Sequence, residues 1–210
     1  MSNHYFTNDP NLKHDFQRIV YVNNGITYRF FTDSGVFSKS QVDFGSKTLI
    51  EAFKYNNYQS LLDLGCGYGV IGIVLKTQYP VMEVTQSDIN IRALELTKEN
   101  AKENKVETHS IISDGYENVT GLFDCITLNP PIRAGKETIF KLYDETYKHL
   151  NPDGELWIVI QKKQGAPSHL KYLQNLFSNV ELVTKNKGYH VLRMKKVHKG
   201  WLFAYINIKY

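Results

Sequence analysis

Short β-rich runs alternate with longer segments of helical periodicity between residues 60 and 177. Such alternation predicts a mostly parallel sheet with helices on both faces, because parallel strands need a long crossover between them. The strands are predicted at residues 60–64, 83–87, 108–112, 125–128 and 156–160. The helices are predicted at residues 70–78, 90–104, 136–150 and 168–177. This pattern restricts the chain to an α/β fold.

Two further apolar runs, residues 180–184 and 189–194, are too close in sequence for a parallel crossover. We expect them to pair antiparallel, which gives a seven-stranded, mostly parallel sheet whose last strand is reversed. Residues 17–31 predict a small N-terminal β-hairpin, because two β-rich runs flank an Asn-Asn-Gly turn. A short helix is predicted at residues 45–53. The apolar tail at residues 201–208 is β-rich, and its role stays open.

The net charge of +4 is unevenly distributed, since residues 161–210 carry ten Lys and Arg against one acid and the first 160 residues carry fifteen against twenty. A basic end indicates a polyanionic partner such as nucleic acid, although a solvated lysine-rich face explains it equally well. No apolar run approaches the ~20 residues of a membrane helix, and the polar start lacks a signal-peptide core. Neither the two cysteines nor the seven histidines have metal-ligand spacing. We therefore expect a cytoplasmic protein without a metal.

A glycine-rich loop, residues 63–69 (Asp-Leu-Gly-Cys-Gly-Tyr-Gly), follows the first predicted parallel strand. Glycines let the backbone turn tightly and approach a ligand, and ligands bind α/β sheets at the carboxyl ends of strands. Val70 stands where the dinucleotide fingerprint has its third glycine, which argues against a pyrophosphate site. Cys66 is interpreted as a loop filler, because no histidine lies near it in sequence to activate it.

Acidic residues end three successive predicted strands: Asp63, Asp88 and Asp114. An acid at the first position can meet an ammonium group, one at the second can accept bonds from both ribose hydroxyls, and one at the third can accept a bond from an adenine amino group. Each acid alone could instead cap a following turn or helix. Together with the glycine loop, the three acids predict a nucleoside cofactor.

The segment at residues 128–136 (Leu-Asn-Pro-Pro-Ile-Arg-Ala-Gly-Lys) follows the fourth strand. Its prolines stop the strand and offer no N–H groups. The Asn129 side-chain oxygen and the Pro130 carbonyl could bind both hydrogens of an exocyclic amino group and hold its nitrogen in line with an electrophilic methyl group. A simple strand-ending turn is the alternative. Arg133 and Lys136 would bind an RNA phosphate or belong to the ordinary charged surface.

Residues 63–69, Asp88, Asp114 and Asn129-Pro130-Pro131 resemble the motif set of class I S-adenosylmethionine-dependent methyltransferases that act on amino groups. Residues 35–38 (Gly-Val-Phe-Ser), 43–46 (Asp-Phe-Gly-Ser) and 129–136 narrow the resemblance to the short form of the small-subunit ribosomal RNA guanine-N2 methyltransferases. The resemblance implies a Rossmann-like methyltransferase sheet, S-adenosylmethionine as the donor, and N2-methylguanosine in 16S ribosomal RNA as the product.

The resemblance also implies roles for individual residues. Asn129 and Pro130 would be catalytic. The implied cofactor-binding residues are Phe37, Ser38, Asp63, Gly65, Cys66, Gly67, Gly69, Asp88, Ile89, Asp114, Gly115 and Asn129. The implied substrate-binding residues are Pro131, Ile132, Arg133 and Lys136. The implied organisation is a hairpin and pocket-closing segment at 1–45, a methyltransferase domain at 46–196, and a tail at 197–210.

The chain departs from the family pattern in two ways. Many amino-methylating relatives carry an aromatic residue after Asn-Pro-Pro that stacks on the target base, whereas this chain has Ile132, so stacking falls to Phe37 or another ring. Long family members also have a second domain that helps to recognise RNA. In this shorter chain we expect the hairpin, the basic end or a second copy in a homodimer to contact the 16S RNA or the small ribosomal subunit.

Four alternatives remain open. The same fold could methylate a protein glutamine amide or an adenine amino group, and Ile132 argues against both. A nicotinamide oxidoreductase is disfavoured by the missing third glycine. A non-catalytic RNA-binding relative is disfavoured by the intact acids and Asn129.

Overall fold

A computed structural model describes residues 12–197 of the protein. An N-terminal hairpin pairs β1 (Gln17–Asn23) with β2 (Ile26–Thr32). The strands of the main sheet are β3 (Ser60–Leu64), β4 (Glu83–Asp88), β5 (His109–Ile112), β6 (Phe123–Leu128), β7 (Leu150–Gln161), β8 (Asn179–Asn186) and β9 (Tyr189–Lys195). The helices are α1 (Phe44–Ala52), α2 (Val70–Gln78), α3 (Ile91–Glu103), α4 (Lys136–His149) and α5 (Ala166–Leu176).

The main sheet has seven strands in the order β5-β4-β3-β6-β7-β9-β8. Strand β9 runs antiparallel to both of its neighbours, β7 and β8, and the other strand pairs are parallel. The predicted fold class is therefore confirmed, including the reversed last strand and the separate hairpin. A two-residue turn joins β8 to β9, which is too short for any crossover.

The central strands are buried on both faces. Along β3, Leu61 packs into one apolar core, whereas Leu62 and Leu64 pack into the other. Strand β7 alternates in the same way, with Trp157 in the first core and Ile158 in the second. Side chains of a strand point alternately to opposite faces, so a strand covered on both sides has a continuous apolar sequence. The two cores fix the carboxyl edge of the sheet, where the loops after β3 and β6 lie.

Strand β7 is longer than predicted. Residues 151–154 are a turn signal in the sequence, but the strand already begins at Leu150, directly after α4. The Asp153 N–H donates to the Lys196 carbonyl at 2.8 Å, and the Lys196 N–H donates to the Gly154 carbonyl at 2.9 Å. Long-range pairing with the end of β9 thus makes this segment part of the strand, although Asp153 has a φ of 62° and the register against β6 is irregular.

Asparagine side chains of α3 cover the free edge of the hairpin. Asn100 accepts from the Phe31 N–H at 2.6 Å and donates to the Phe31 carbonyl at 3.0 Å. Asn104, one turn later, pairs with the N–H and carbonyl of Arg29 at 3.1 and 2.7 Å. The two amides therefore bond to β2 as a third strand would, which protects an exposed edge. Asn100 also donates to the Tyr68 carbonyl at 2.8 Å and so ties the hairpin to the glycine loop.

No helix within residues 12–197 is long and apolar enough to cross a membrane. The tail at residues 201–208, for which the sequence suggests an edge strand, lies outside the described residues.

We predict that Asn100→Ala lowers the free energy of unfolding by about 2–3 kcal/mol, because it leaves buried backbone groups of Phe31 and Tyr68 without partners. Asn104→Ala is the matched control. It removes the same kind of pairing with Arg29 at a more exposed position, so we expect a loss of about 1 kcal/mol or less. Urea denaturation of both variants measures the difference, and equal losses would contradict the clamping role of Asn100.

Candidate active site

The glycine loop after β3 presents its backbone to open space. Gly65 and Gly67 adopt φ values of 66° and 57°, which favour glycine, and a Cβ at either position would meet no atom within 4 Å. Gly69 also has a positive φ, but a Cβ there would lie 2.9 Å from Ile73 and 3.0 Å from Thr97. The first two glycines therefore face open space at the carboxyl edge of the sheet, which we call the cleft, and the third packs the loop against α2 and α3.

Asp63 lies beneath this loop and is buried. One carboxylate oxygen accepts from the Gly72 N–H at 2.9 Å and from Gln86 at 3.3 Å, and the other accepts from the Thr127 hydroxyl at 3.1 Å. Burial raises the pKa of Asp63 to about 6. The observed contacts hold the first turn of α2 against β3, and the implied contact with a cofactor stays a prediction.

Asp88 ends β4 beside the loop. Its oxygens accept from the Gly67 N–H at 2.8 Å and from the Asn90 N–H at 2.9 Å, and the N–H of Ile89 also bonds to it. Burial raises the pKa of this carboxyl group. Asp88 is half-buried, so its carboxylate both shapes the loop and borders the cleft.

Asp114 follows β5 and is exposed. Its neighbour Gly115 has a φ of 53°, and the Gly115 carbonyl accepts from the Ser113 hydroxyl at 2.9 Å. Because β5, β4 and β3 are adjacent in the sheet, the predicted acids Asp63, Asp88 and Asp114 lie along one edge.

Cys66 is half-buried in the loop. Its N–H donates to the Ser87 carbonyl at 2.9 Å, and its sulphur lies 3.8 Å from the Thr97 hydroxyl. Burial, together with the charges of Asp88 and Asp63, raises the pKa of the thiol well above its ordinary value. A thiol held protonated is a poor nucleophile, which agrees with a packing role.

The segment at residues 35–38 closes one side of the cleft. The Asn90 side chain donates to the Gly35 carbonyl at 2.8 Å, and the Tyr68 hydroxyl donates to the Ser38 carbonyl at 3.4 Å. These bonds connect the segment to the end of β4 and to the glycine loop. Phe37 is 51% exposed, so its ring is accessible at this border.

Asn129 follows β6, and its amide orientation is fixed by two residues of the α1 region. Its NH2 group donates to the Asp43 carboxylate at 3.0 Å and to the Ser46 hydroxyl at 3.1 Å. No donor among the described residues reaches the Asn129 side-chain oxygen. That oxygen is therefore available as an acceptor, while both amide hydrogens are engaged.

Sequence reasoning did not assign roles to Asp43 and Ser46. Asp43 is the N-cap of α1 and accepts from the Ser46 N–H at 3.0 Å. The capping pattern is visible in the sequence, but the second contact of Asp43, with Asn129, is not. Gly45 makes this arrangement possible, because a Cβ there would lie 2.8 Å from the Asp43 carboxylate and 3.1 Å from the Tyr189 ring.

The residues after Asn129 turn away from β6. Pro130 is buried and Pro131 half-buried, and Ile132–Ala134 forms one 3-10 turn before α4. Ile132 packs partly against the second apolar core. Arg133 and Lys136 are exposed, and the Lys136 ammonium lies 5.2 Å from the Phe140 ring centre. The structure thus brings Asn129 and Pro130 to the sheet edge and leaves the two cations on the outer surface.

A nucleoside-type cofactor fits this edge of the sheet. There is open space above Gly65 and Gly67, three neighbouring strands end in or near acids, and residues 35–38 border the space. Within residues 12–197 no group of three or more His, Cys, Asp or Glu side chains could hold a metal ion.

Comparison with protein families matches residues 27–193 to the methyltransferase small domain. The Bacillus subtilis protein named "Uncharacterized protein YbxB" is 43% identical over 201 residues, which cover 94% of this chain and 100% of that protein. The ribosomal RNA small subunit methyltransferase C of Pasteurella multocida is 40% identical over 135 residues, which cover 62% of this chain and 41% of that protein.

Among solved structures, the T. thermophilus 16S rRNA N2 G1207 methyltransferase (RsmC), in complex with AdoMet and guanosine, aligns with a TM-score of 0.77 at 23% identity. The alignment covers 89% of this chain and 52% of that chain. A methyltransferase from Pyrococcus furiosus aligns with a TM-score of 0.63 at 22% identity, covering 72% of this chain and 81% of that one. These structures share the fold. The chain spans about half the length of the ribosomal RNA methyltransferases that it matches.

We predict that Asp63→Asn removes a pH dependence of stability. The pKa of Asp63 is raised from 3.8 to about 6, so the folded protein binds this proton more tightly than the unfolded chain. The contribution of Asp63 to the unfolding free energy of the wild type should therefore fall as the pH rises from about 4 to about 6. Asparagine can still accept from Gly72 and contact Thr127, so at pH 7 the variant should be at least as stable as the wild type.

Asp124→Asn is the opposing control for this measurement. Despite desolvation, hydrogen bonds from Asn151, Gln59 and Ser60 lower the pKa of Asp124. The stability that Asp124 contributes is present at neutral pH and lost on acidification. Urea denaturation at pH 4.5 and pH 7 should show the two variants departing from the wild type in opposite directions. A wild-type slope retained in Asp63→Asn would contradict the assignment.

Proposed function

The chain belongs to the methyltransferase small domain family, and on that premise we propose that it methylates the exocyclic amino group (N2) of a guanine in 16S ribosomal RNA. The observation that carries the proposal is the fixed amide of Asn129, whose oxygen lies at the sheet edge and accepts from no donor within residues 12–197. The relatives named ribosomal RNA small subunit methyltransferase C support an RNA substrate, and the similar fold of the 16S rRNA N2 G1207 methyltransferase (RsmC), solved with guanosine, supports guanine as the base.

The proposed donor site extends along the ends of β3, β4 and β5. S-adenosylmethionine supplies an electrophilic methyl group when it is bound. Gly65 and Gly67, which face open space, are proposed to line its methionine part, and Asp63, Cys66 and Gly69 are proposed to support the loop behind them. Asp88 and Ile89 would bind the ribose, Asp114 and Gly115 the adenine, and Phe37 and Ser38 would close the cleft. The open space above Gly65 and Gly67 supports this arrangement.

The proposed acceptor site lies at the end of β6. A guanine amino group is a weak nucleophile, because its lone pair is delocalised into the ring. The Asn129 oxygen and the Pro130 carbonyl accept its two hydrogens and hold the nitrogen in line for attack. Both oxygens also stabilise the positive charge that develops on the nitrogen as it forms the new bond. The substituted nitrogen then releases its proton readily, so no strong general base is needed.

Asp43 strengthens the acceptor role of Asn129. An amide whose N–H groups donate to an anion is polarised, and its oxygen becomes a better acceptor. The Asp43 carboxylate is 3.0 Å from the Asn129 nitrogen and also fixes which end of the amide faces the substrate. Asp43 is therefore proposed as a positioning residue.

We predict that Asn129→Ala lowers kcat for methyl transfer to unmodified 16S RNA by at least about 100-fold, the scale of losing one hydrogen-bonding group in the transition state. Calorimetry with S-adenosylmethionine serves as the folding control and should show donor binding in the variant. Mass spectrometry of 16S RNA from cells with and without the gene identifies the product. Unchanged turnover in the variant would contradict the mechanism.

A second prediction separates the two contacts of Asp43. In Asp43→Ser the serine can still cap α1, but its side chain is too short to reach Asn129. We therefore expect kcat to fall at least about tenfold while thermal stability stays near that of the wild type. Asp43→Asn can reach Asn129 with a neutral oxygen and should recover part of the loss. RNA KM should change little in either variant. Wild-type kcat in Asp43→Ser would show that the amide needs no such support.

A further inference from the structure

The structure divides the basic C-terminal segment into two groups. One group lies towards the amino end of β7 and is neutralised internally. Arg193 pairs with Glu181 at 3.0 Å and lies 3.8 Å from Glu155. Lys195 pairs with Asp153 at 3.4 Å. These cations are committed to acids of the same protein.

Lys196 belongs to the same group. Its ammonium donates to the Leu150 carbonyl at 2.6 Å and lies 5.1 Å from the centre of the Tyr147 ring. Burial lowers the pKa of Lys196. This cation is likewise turned towards the protein.

The second group lies at the carboxyl end of β7. It consists of four exposed lysines, which we call the lysine lip: Lys162, Lys163, Lys185 and Lys187. None of them has an ion-pair partner within residues 12–197. The Lys162 N–H donates to the Gly188 carbonyl at 2.7 Å, so the chain after β7 and the β8–β9 turn are adjacent. Burial and the charges of Lys185 and Lys162 lower the pKa of His190, which agrees with clustered positive charge.

The lysine lip borders the acceptor site. The Lys187 ammonium is 5.4 Å from the centre of the Phe44 ring, and that ring is 5.4 Å from the ring of Tyr189. Phe44 follows Asp43, which binds the Asn129 amide. In the sheet order, β7, β9 and β8 lie on one side of β6, and the strands with the glycine loop and acids lie on the other. The lip therefore lies on the opposite side of β6 from the proposed donor site, next to the proposed acceptor site.

The β8–β9 turn has a lysine at a position where the backbone conformation disfavours it. Lys187 and Gly188 both have positive φ values, 43° and 82°, in a two-residue hairpin loop. Asn-Gly is the favoured sequence for such a loop, because asparagine tolerates the left-handed conformation. A lysine in this conformation costs about 1 kcal/mol. The cost is consistent with a side chain that serves binding.

We propose that the lysine lip binds the phosphate backbone of the RNA strand that carries the target base. The identity of that RNA rests on the proposed function. The four ammonium groups are exposed and have no ion-pair partner within residues 12–197, and Lys187 lies next to Phe44, the neighbour of Asp43. Such a group of free positive charges is complementary to a polyphosphate backbone. In this proposal Arg193, Lys195 and Lys196 make no contact with the RNA.

The test uses the full chain and an unmodified 16S RNA transcript. The lip variant combines Lys185→Gln with Lys187→Asn, which suits the turn and should not reduce stability. At 100 mM KCl we expect RNA binding to weaken about tenfold or more. The slope of log K against log salt should decrease by about 1.5, since each lost phosphate contact removes ~0.7–0.9. In methyl transfer, RNA KM should rise while kcat at saturation stays unchanged.

The matched control combines Lys148→Gln with Lys195→Gln, which changes the net charge equally but removes cations paired with Glu145 and Asp153. It should bind RNA within twofold of the wild type. Equal weakening of both variants, or wild-type binding by the lip variant, overturns the proposal. The RNA-binding measurement does not depend on methyl transfer, so it tests the role of the lysine lip even if the protein has no methyltransferase activity. If the wild type methylates guanine and the lip variant binds RNA as tightly as the wild type, the RNA-binding role of the lysine lip is wrong and the proposed function is unaffected.

Discussion

The hydrogen bond between Asp43 and Asn129 is the interaction on which the proposed acceptor site depends. It joins residues that are 86 positions apart, one at the start of α1 and the other after β6. The same carboxylate caps α1, so the helix cannot begin elsewhere without releasing the amide. The absence of a side chain at Gly45 keeps this position free for the carboxylate. A helix terminus and a strand terminus are therefore fixed by one group.

The three acids at the strand ends have the same place in the sequence pattern but different surroundings. Asp63 is buried and engaged by Gly72, Gln86 and Thr127, whereas Asp114 is exposed. Asp88 is intermediate, because it bonds to loop N–H groups and still borders the cleft. The loop is thus supported from below by an acid that titrates near pH 6 and flanked by acids that remain open to a ligand.

Much of the fold can be predicted because its signals are local. The alternation of strand and helix, the short β8–β9 link and the hairpin turn each depend on a few neighbouring residues, and the sheet confirms them. Long-range pairing with Lys196 makes residues 151–154 part of a strand and not only a turn. This pairing could not be predicted from the local sequence. The orientation of Asn129 and the internal pairing of Arg193 depend equally on distant partners. The roles assigned to the cofactor-binding and substrate-binding residues stay predictions.

Asn100 connects two parts of the molecule through one side chain. Its amide bonds to both backbone groups of Phe31 and to the Tyr68 carbonyl. Detachment of the hairpin would therefore leave polar backbone of the glycine loop without its partner. The free energy needed to detach the hairpin would then include the cost of loosening the glycine loop. We expect the hairpin and the glycine loop to open as a single cooperative unit. A molecule bound to the outer face of the hairpin would therefore act, through the Asn100 amide, on the rigidity of the proposed donor site.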